Sequence, residues 1–169
     1  MLRIISDFPR QRENELQKRM KENNNRVKIR PMTEEDLVQV ETIEQESFSM
    51  PWSFDAFKST LIREDTLYLV ASDEDAVLGY CGMYISFDEG EIPNVAVRSD
   101  CRNCGIGEIM LKELLAMAET KGVASVFLEV RKSNGSARRL YEKLGFEVAG
   151  IRKNFYEFPR EDAVIMWKK

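Results

Sequence analysis

The chain has 169 residues, 43% hydrophobic and 32% charged, the profile of one ordinary soluble domain with a sizeable core. A formal net charge of -4 gives no basic excess to drive general binding to nucleic acid, and no apolar run is long enough for a membrane span. With no histidine, the sequence excludes Ser-His and Cys-His triads and imidazole-based zinc chemistry, so acid–base work falls to carboxylates, tyrosine, lysine, cysteine or water.

Residues 1–26 are polar and charge-rich and predict an N-terminal extension outside the core; residues 27–169 predict a single domain. "VKIR" predicts a strand that Pro31 interrupts. Thr33 followed by Glu34, Glu35 and Asp36 predicts a capped helix running to Glu46. "SFSMPWS" is an aromatic loop, after which Ser53 caps a second helix extending to Arg63. "TLYLVAS" and "AVLGYCGMYIS", joined by "DEDA", predict a hairpin. "EIPNVAV" predicts a strand, bulged or splayed at Pro93, which lacks the N–H of a regular ladder.

Ile106, Ile109, Met110, Leu114, Met117 and Ala118 recur at helical spacing, and "VASVFLEV" predicts an apolar strand. A short helix follows from Gly135 to Leu144, with Ser133 or Asn134 as its cap and Gly145 as its stop. "FEVAGIRKNFY" and "DAVIMWKK" close the chain as strands, giving an α+β order with one strand–loop–helix crossover at its centre.

"SDCRNCGIGEIM" holds two chemistries. Cys101 and Cys104 form a C-x-x-C, compatible with a redox pair, half a metal site, or two unrelated small side chains. Three cysteines are too few for a four-thiolate zinc site, and they indicate a reducing cytoplasm without a disulfide framework. Gly105 and Gly107 ahead of a helix, with Arg102 nearby, suit either a tight turn or an anion held on backbone N–H groups. Glu129 within "VFLEV" is either a base at a strand end or a residue facing solvent and pairing with Arg131. Tyr141 shares an apolar helix face with Ala137, Leu140 and Leu144, where packing and chemistry are both open to it.

Taken together, "RNCGIG" and "LEVRKSNGSARRLYEKLGFE" resemble the acetyl-CoA-dependent GNAT acetyltransferase superfamily over roughly residues 27–169. "MPWSFDAF", "LEVRKSN", "LYEKLGFE" and "IRKNFY...EDAVIMW" more narrowly resemble the bacterial ribosomal-protein-alanine N-acetyltransferases. The resemblance implies a GNAT fold, a mixed and mostly antiparallel sheet splayed between two parallel strands and flanked by about four helices. It implies that acetyl-CoA enters that splay with no metal. Val95, Ala96 and Val97 would bond the pantetheine, the turn of Arg102, Asn103, Cys104, Gly105, Ile106, Gly107 and Glu108 would hold the pyrophosphate, and Asn134 would contact the pantetheine. Cys104 would contribute its backbone N–H, which favours the anion reading over the cysteine one.

By the same resemblance Glu129 is the general base, Tyr141 the general acid, and Trp52 and Tyr156 wall the peptide channel. The implied acceptor is the N-terminal alanine of a small-subunit ribosomal protein; another amine (lysine, polyamine or drug) and a non-catalytic acyl-CoA-binding regulator are the alternatives. Glu108 and Phe155 depart from the family pattern, which often has a basic residue and a tyrosine there.

Overall fold

A computed structural model describes residues 26–169, so the expected extension lies, but for Arg26, outside the described residues. In chain order the strands are β1 (Lys28–Pro31), β2 (Thr66–Asp73), β3 (Ala76–Ser86), β4 (Glu89–Ile92), β5 (Val95–Val97), β6 (Ser125–Arg131), β7 (Glu147–Glu157) and β8 (Arg160–Lys168). The helices are α1 (Leu37–Ser47), α2 (Phe54–Leu61), α3 (Ile106–Thr120) and α4 (Gly135–Lys143), with single 3-10 turns at Glu34–Asp36 and Ser99–Cys101. The sheet runs β1-β2-β3-β4-β6-β8-β7, and β5 pairs with β3 alone.

The predicted elements form with adjusted ends. Pro31 closes β1 as its last paired residue, opposite Leu69, which an edge strand tolerates. Thr33 opens a 3-10 turn before α1, and the Asp36 carboxylate accepts the Thr33 backbone N–H at 2.8 Å. Ser53 accepts the Ala56 N–H at 3.2 Å and caps α2, which ends at Leu61 rather than Arg63. α4 stops where Gly145 turns left-handed at φ 89°.

β2 reads as a continuous apolar run because both its faces are covered. Leu67, Leu69 and Ala71 join α3 in one core, while Tyr68 and Val70 join α1 and α2 in a second.

The expected strand at 91–97 divides in two. β4 pairs antiparallel with β3 and parallel with β6 as far as Ile92 opposite Leu128. Pro93 and Asn94 then break the ladder, and β5 continues against β3 only. Past Leu128, β6 keeps β8 as its partner for Glu129, Val130 and Arg131. The missing Pro93 N–H and the divergence of β5 from β6 open the sheet into a cleft.

Candidate active site

The cleft has two limbs. The first, of about 670 Å³, is lined by β5, the turn from Cys101 to Glu108 and one face of α4. The second, of about 400 Å³, lies between β4 and the end of β6, closed by Tyr141, Phe155 and Tyr156. Ser47, Phe48, Val95, Asn134 and Ala137 border both limbs and so mark where they meet.

The first limb sets a helix start beside an open strand edge. Gly105 precedes α3 at φ 84°, in open space with nothing within 4 Å of a Cβ placed there. The first intrahelical bond runs from the Ile109 N–H to the Gly105 carbonyl at 3.2 Å. The N–H groups of Ile106, Gly107 and Glu108 therefore precede the helical ladder, at the positive end of the α3 dipole. A Cβ on Gly107 would lie 3.4 Å from Leu140 and 3.8 Å from Val97, filling the space beneath those amides.

On β5, hydrogen bonds from Arg98 N–H to Leu78 and from Gly82 N–H to Asn94 fix the antiparallel alternation. That alternation turns the polar groups of Ala96 toward β3 and those of Val95 and Val97 toward the cleft. Ala96 thus supplies lining, not main-chain partners.

The Arg102 guanidinium donates to the Val97 carbonyl at 3.0 Å and to the Ser47 hydroxyl at 3.4 Å, tying the turn to β5 and α1. Glu108 turns to Lys143 at 2.6 Å and Lys112 at 2.8 Å, which hold its carboxyl down at about 2 and offset its charge beside the amides. Asn103 adopts φ 59° within the turn. Asn134 accepts the Ala137 N–H at 3.1 Å and caps α4 from the junction of the limbs.

The cysteines sit behind this turn. Cys101 is fully buried and Cys104 nearly so, and neither forms a disulfide. Burial pushes the Cys101 thiol up to about 12, the opposite of a reactive thiolate. Among the described residues no group of three or more cysteine, aspartate or glutamate side chains is arranged to hold a metal ion.

In the second limb Glu129 and Tyr141 face the same space from β6 and α4. β6 alternates, with Val126, Leu128 and Val130 buried while Phe127, Glu129 and Arg131 lie on a half-open face. Glu129 pairs with Arg152 at 2.7 Å and not with Arg131, whose partner is Glu161 at 3.3 Å. Burial raises the Glu129 carboxyl above its usual range; Arg152 opposes that rise and Glu91 adds to it. Tyr141 is 8% exposed, and burial holds its hydroxyl proton more tightly than usual.

Tyr156 donates to the Glu129 carbonyl at 3.4 Å, with the Arg131 guanidinium 4.1 Å from its ring centre. A bulge in β7 between Arg152 and Tyr156 sets this orientation; there Asn154, at φ 54°, donates its N–H to Asp162 at 2.9 Å. Trp52 packs half-buried against the second core, its ring 5.4 Å from Phe57 and 6.3 Å from Tyr84, while Phe48 of the same loop borders both limbs.

A third groove, about 690 Å³, lies at the opposite end of β6 between the later turns of α3 and Lys143, Lys168 and Lys169. It contains neither the glycine turn nor the Glu129–Tyr141 pair, so volume alone does not make it the site.

Residues 36–146 match the Acetyltransferase (GNAT) family. The chain belongs to the GNAT acetyltransferase family. GNAT enzymes use acetyl-CoA, and the first limb suits that donor's diphosphate and extended arm. A Bacillus subtilis relative is 38% identical over 140 residues, covering 82% of this chain and 93% of its own. A Haemophilus influenzae relative named ribosomal protein bS18-alanine N-acetyltransferase is 38% identical over 134 residues, covering 78% of this chain and 90% of its own. The crystal structure of the Escherichia coli ribosomal-protein-S18-alanine N-acetyltransferase superposes with a TM-score of 0.77 at 35% identity, over 84% of this chain and 92% of that one.

Four residues that brace this cleft or its neighbours escape a reading by motif. Ser47, Ser49 and Arg152 stand in positions that look like solvated surface, and their roles emerge only from partners far along the chain. Glu44 carries a signal: it shares a helical stripe with Leu37 and Val40, and the structure buries all three.

Proposed function

We propose that the protein transfers the acetyl group of acetyl-CoA to the N-terminal α-amine of a protein, specifically the N-terminal alanine of a small-subunit ribosomal protein. The observation that carries this reading is the meeting of the two limbs, an amide-rich turn in one and a carboxyl–phenol pair in the other. Near-full-length relatives named for that reaction support the acceptor.

In this reading the amides of Ile106, Gly107 and Glu108 receive the diphosphate, and the main-chain groups of Val95 with the N–H of Val97, whose carbonyl Arg102 already holds, bind the arm along the strand edge. That brings the thioester to the junction beside Phe48 and Asn134. The amine attacks the thioester carbonyl carbon directly and the C–S bond breaks, without a covalent enzyme intermediate. Glu129, its affinity for protons raised by burial, takes the ammonium proton through an ordered water. Tyr141 keeps its own proton at neutral pH and gives it to the leaving sulfur.

The acceptor's chemistry fits a modest base. Neutralising an α-amine of pKa ~7.8 at pH 7.4 costs about 0.5 kcal/mol, against about 4 kcal/mol for a lysine near ~10.4. The test compares a peptide with a free N-terminal alanine against its N-blocked, lysine-containing counterpart under saturating acetyl-CoA. Acetylation of the first alone is expected. Equal or greater transfer to the lysine peptide would overturn the acceptor assignment.

A further inference from the structure

Glu44 is 2% exposed, on the face of α1 that also buries Leu37, Val40 and Ile43. A carboxyl there is costly to desolvate, and an apolar side chain would pack the same space without that cost. What Glu44 adds is a set of directed bonds. One carboxyl oxygen accepts the Trp52 N–H at 3.0 Å, and the other accepts the hydroxyl of Tyr80 on β3. The Glu44 carbonyl accepts the Phe48 N–H at 3.0 Å, and one turn earlier the Glu41 carboxylate accepts the Phe54 N–H at 2.9 Å.

From behind, then, α1 holds both ends of the loop that joins it to α2. From the front the same segment is tied to both sides of the splay. Arg102, from the glycine turn, donates to the Ser47 hydroxyl at 3.4 Å, and Arg131, from the end of β6, donates to the Ser49 hydroxyl at 3.4 Å. Between those ties Phe48 borders both limbs.

We propose that Glu44 is a positioning residue for the acceptor: its buried carboxyl fixes the course of the loop over residues 48–53, and through it the wall of the acceptor limb. This rests on the acetyl-transfer reading above. The carboxyl touches no reacting atom. It acts through the Trp52 amide, so its loss bears on acceptor binding while the amide turn at α3 keeps its hold on acetyl-CoA.

The experiment measures KM for both substrates and hydrogen exchange at the Trp52 amide in wild type, Glu44→Ala, Glu44→Gln and Tyr80→Phe. For Glu44→Ala, loss of the bond predicts a roughly tenfold rise in acceptor KM and roughly tenfold faster Trp52 exchange, with acetyl-CoA KM within about twofold of wild type. Glu44→Gln keeps an oxygen for the Trp52 N–H and restores both. Should Glu44→Ala not fold, Tyr80→Phe removes one partner of the carboxyl and predicts a smaller rise in the same direction. Wild-type Trp52 exchange in a folded Glu44→Ala overturns the proposal, as does a parallel rise of both KM values that Gln fails to reverse. An enzyme inert toward the alanine peptide would refute the acceptor reading alone, and Trp52 exchange would still decide whether Glu44 holds the loop.

Discussion

Glu129, the proposed base, already sits in an ion pair. Arg152 reaches it at 2.7 Å from β7, and the arginine side chain is itself more than half exposed. A cation held at the water-facing side of the proposed base is displaceable, and the incoming ammonium group brings the same charge. Removing the base by Glu129→Gln should lower kcat by roughly 10²-fold with acetyl-CoA binding intact, checked by steady-state kinetics beside a coenzyme A titration. Arg152 opposes the upward shift of the Glu129 carboxyl, so Arg152→Gln raises that pKa further. The acidic limb of the kcat/KM profile should then move to higher pH. An unmoved limb would mean that the pair does not tune the base.

Glu44 titrates with a different consequence. Burial pushes its carboxyl up to about 7 from an unfolded value near 4.5, so between those values the folded chain binds the extra proton. Stability contributed by this group is therefore greatest below about 4.5 and declines as pH rises toward about 7. Melting curves from pH 5 to 8 should show a shallower decline in Glu44→Gln than in wild type. The sequence made Glu129 legible as an acid among apolar neighbours, but not its partner. Arg152 lies 23 positions later on a different strand, and the β7 bulge that shapes its neighbourhood is marked in "RKNFY" by Asn154 alone, a residue type that tolerates positive φ.

At the scale of elements, the start of α3 concentrates what the donor limb requires. Gly105 at φ 84° faces open space, so an added methyl meets no atom and the cost of Gly105→Ala is in the backbone alone. A left-handed alanine costs about 1 kcal/mol, enough to lower Tm by a few degrees. The same change should raise the acetyl-CoA KM while leaving the acceptor KM near wild type, which substrate-by-substrate kinetics would reveal. This element was readable because glycine turn, apolar periodicity and strand all lie within one continuous stretch. The broken strand was readable in part. Pro93 predicted an irregularity, but whether it made a bulge or two separate strands depended on β5 finding its partner on β3 alone.

At the scale of the whole molecule, one topological event makes the site. The parallel ladder of β4 and β6 ends at Leu128, and the divergence beyond it admits α4 beneath the gap and the α1–α2 loop above. Order along the chain was enough to anticipate an α+β fold with a single crossover, whereas the mixed, splayed sheet was implied by the family resemblance. Loop ties across 55 and 82 positions, Arg102 to Ser47 and Arg131 to Ser49, have no local signature and needed the fold.

The central claim is that acetyl-CoA occupies the divergence of β5 from β6 with its diphosphate on the first amides of α3. Titrating coenzyme A into isotopically labelled protein and following the amide resonances tests it most directly. The account predicts the largest shifts at Ile106, Gly107 and Glu108, with Val95 and Val97 following at the same ligand concentration. Shifts confined to the lysine-lined groove around Lys112, Ala116 and Val126, with the α3 amides unmoved, would contradict it.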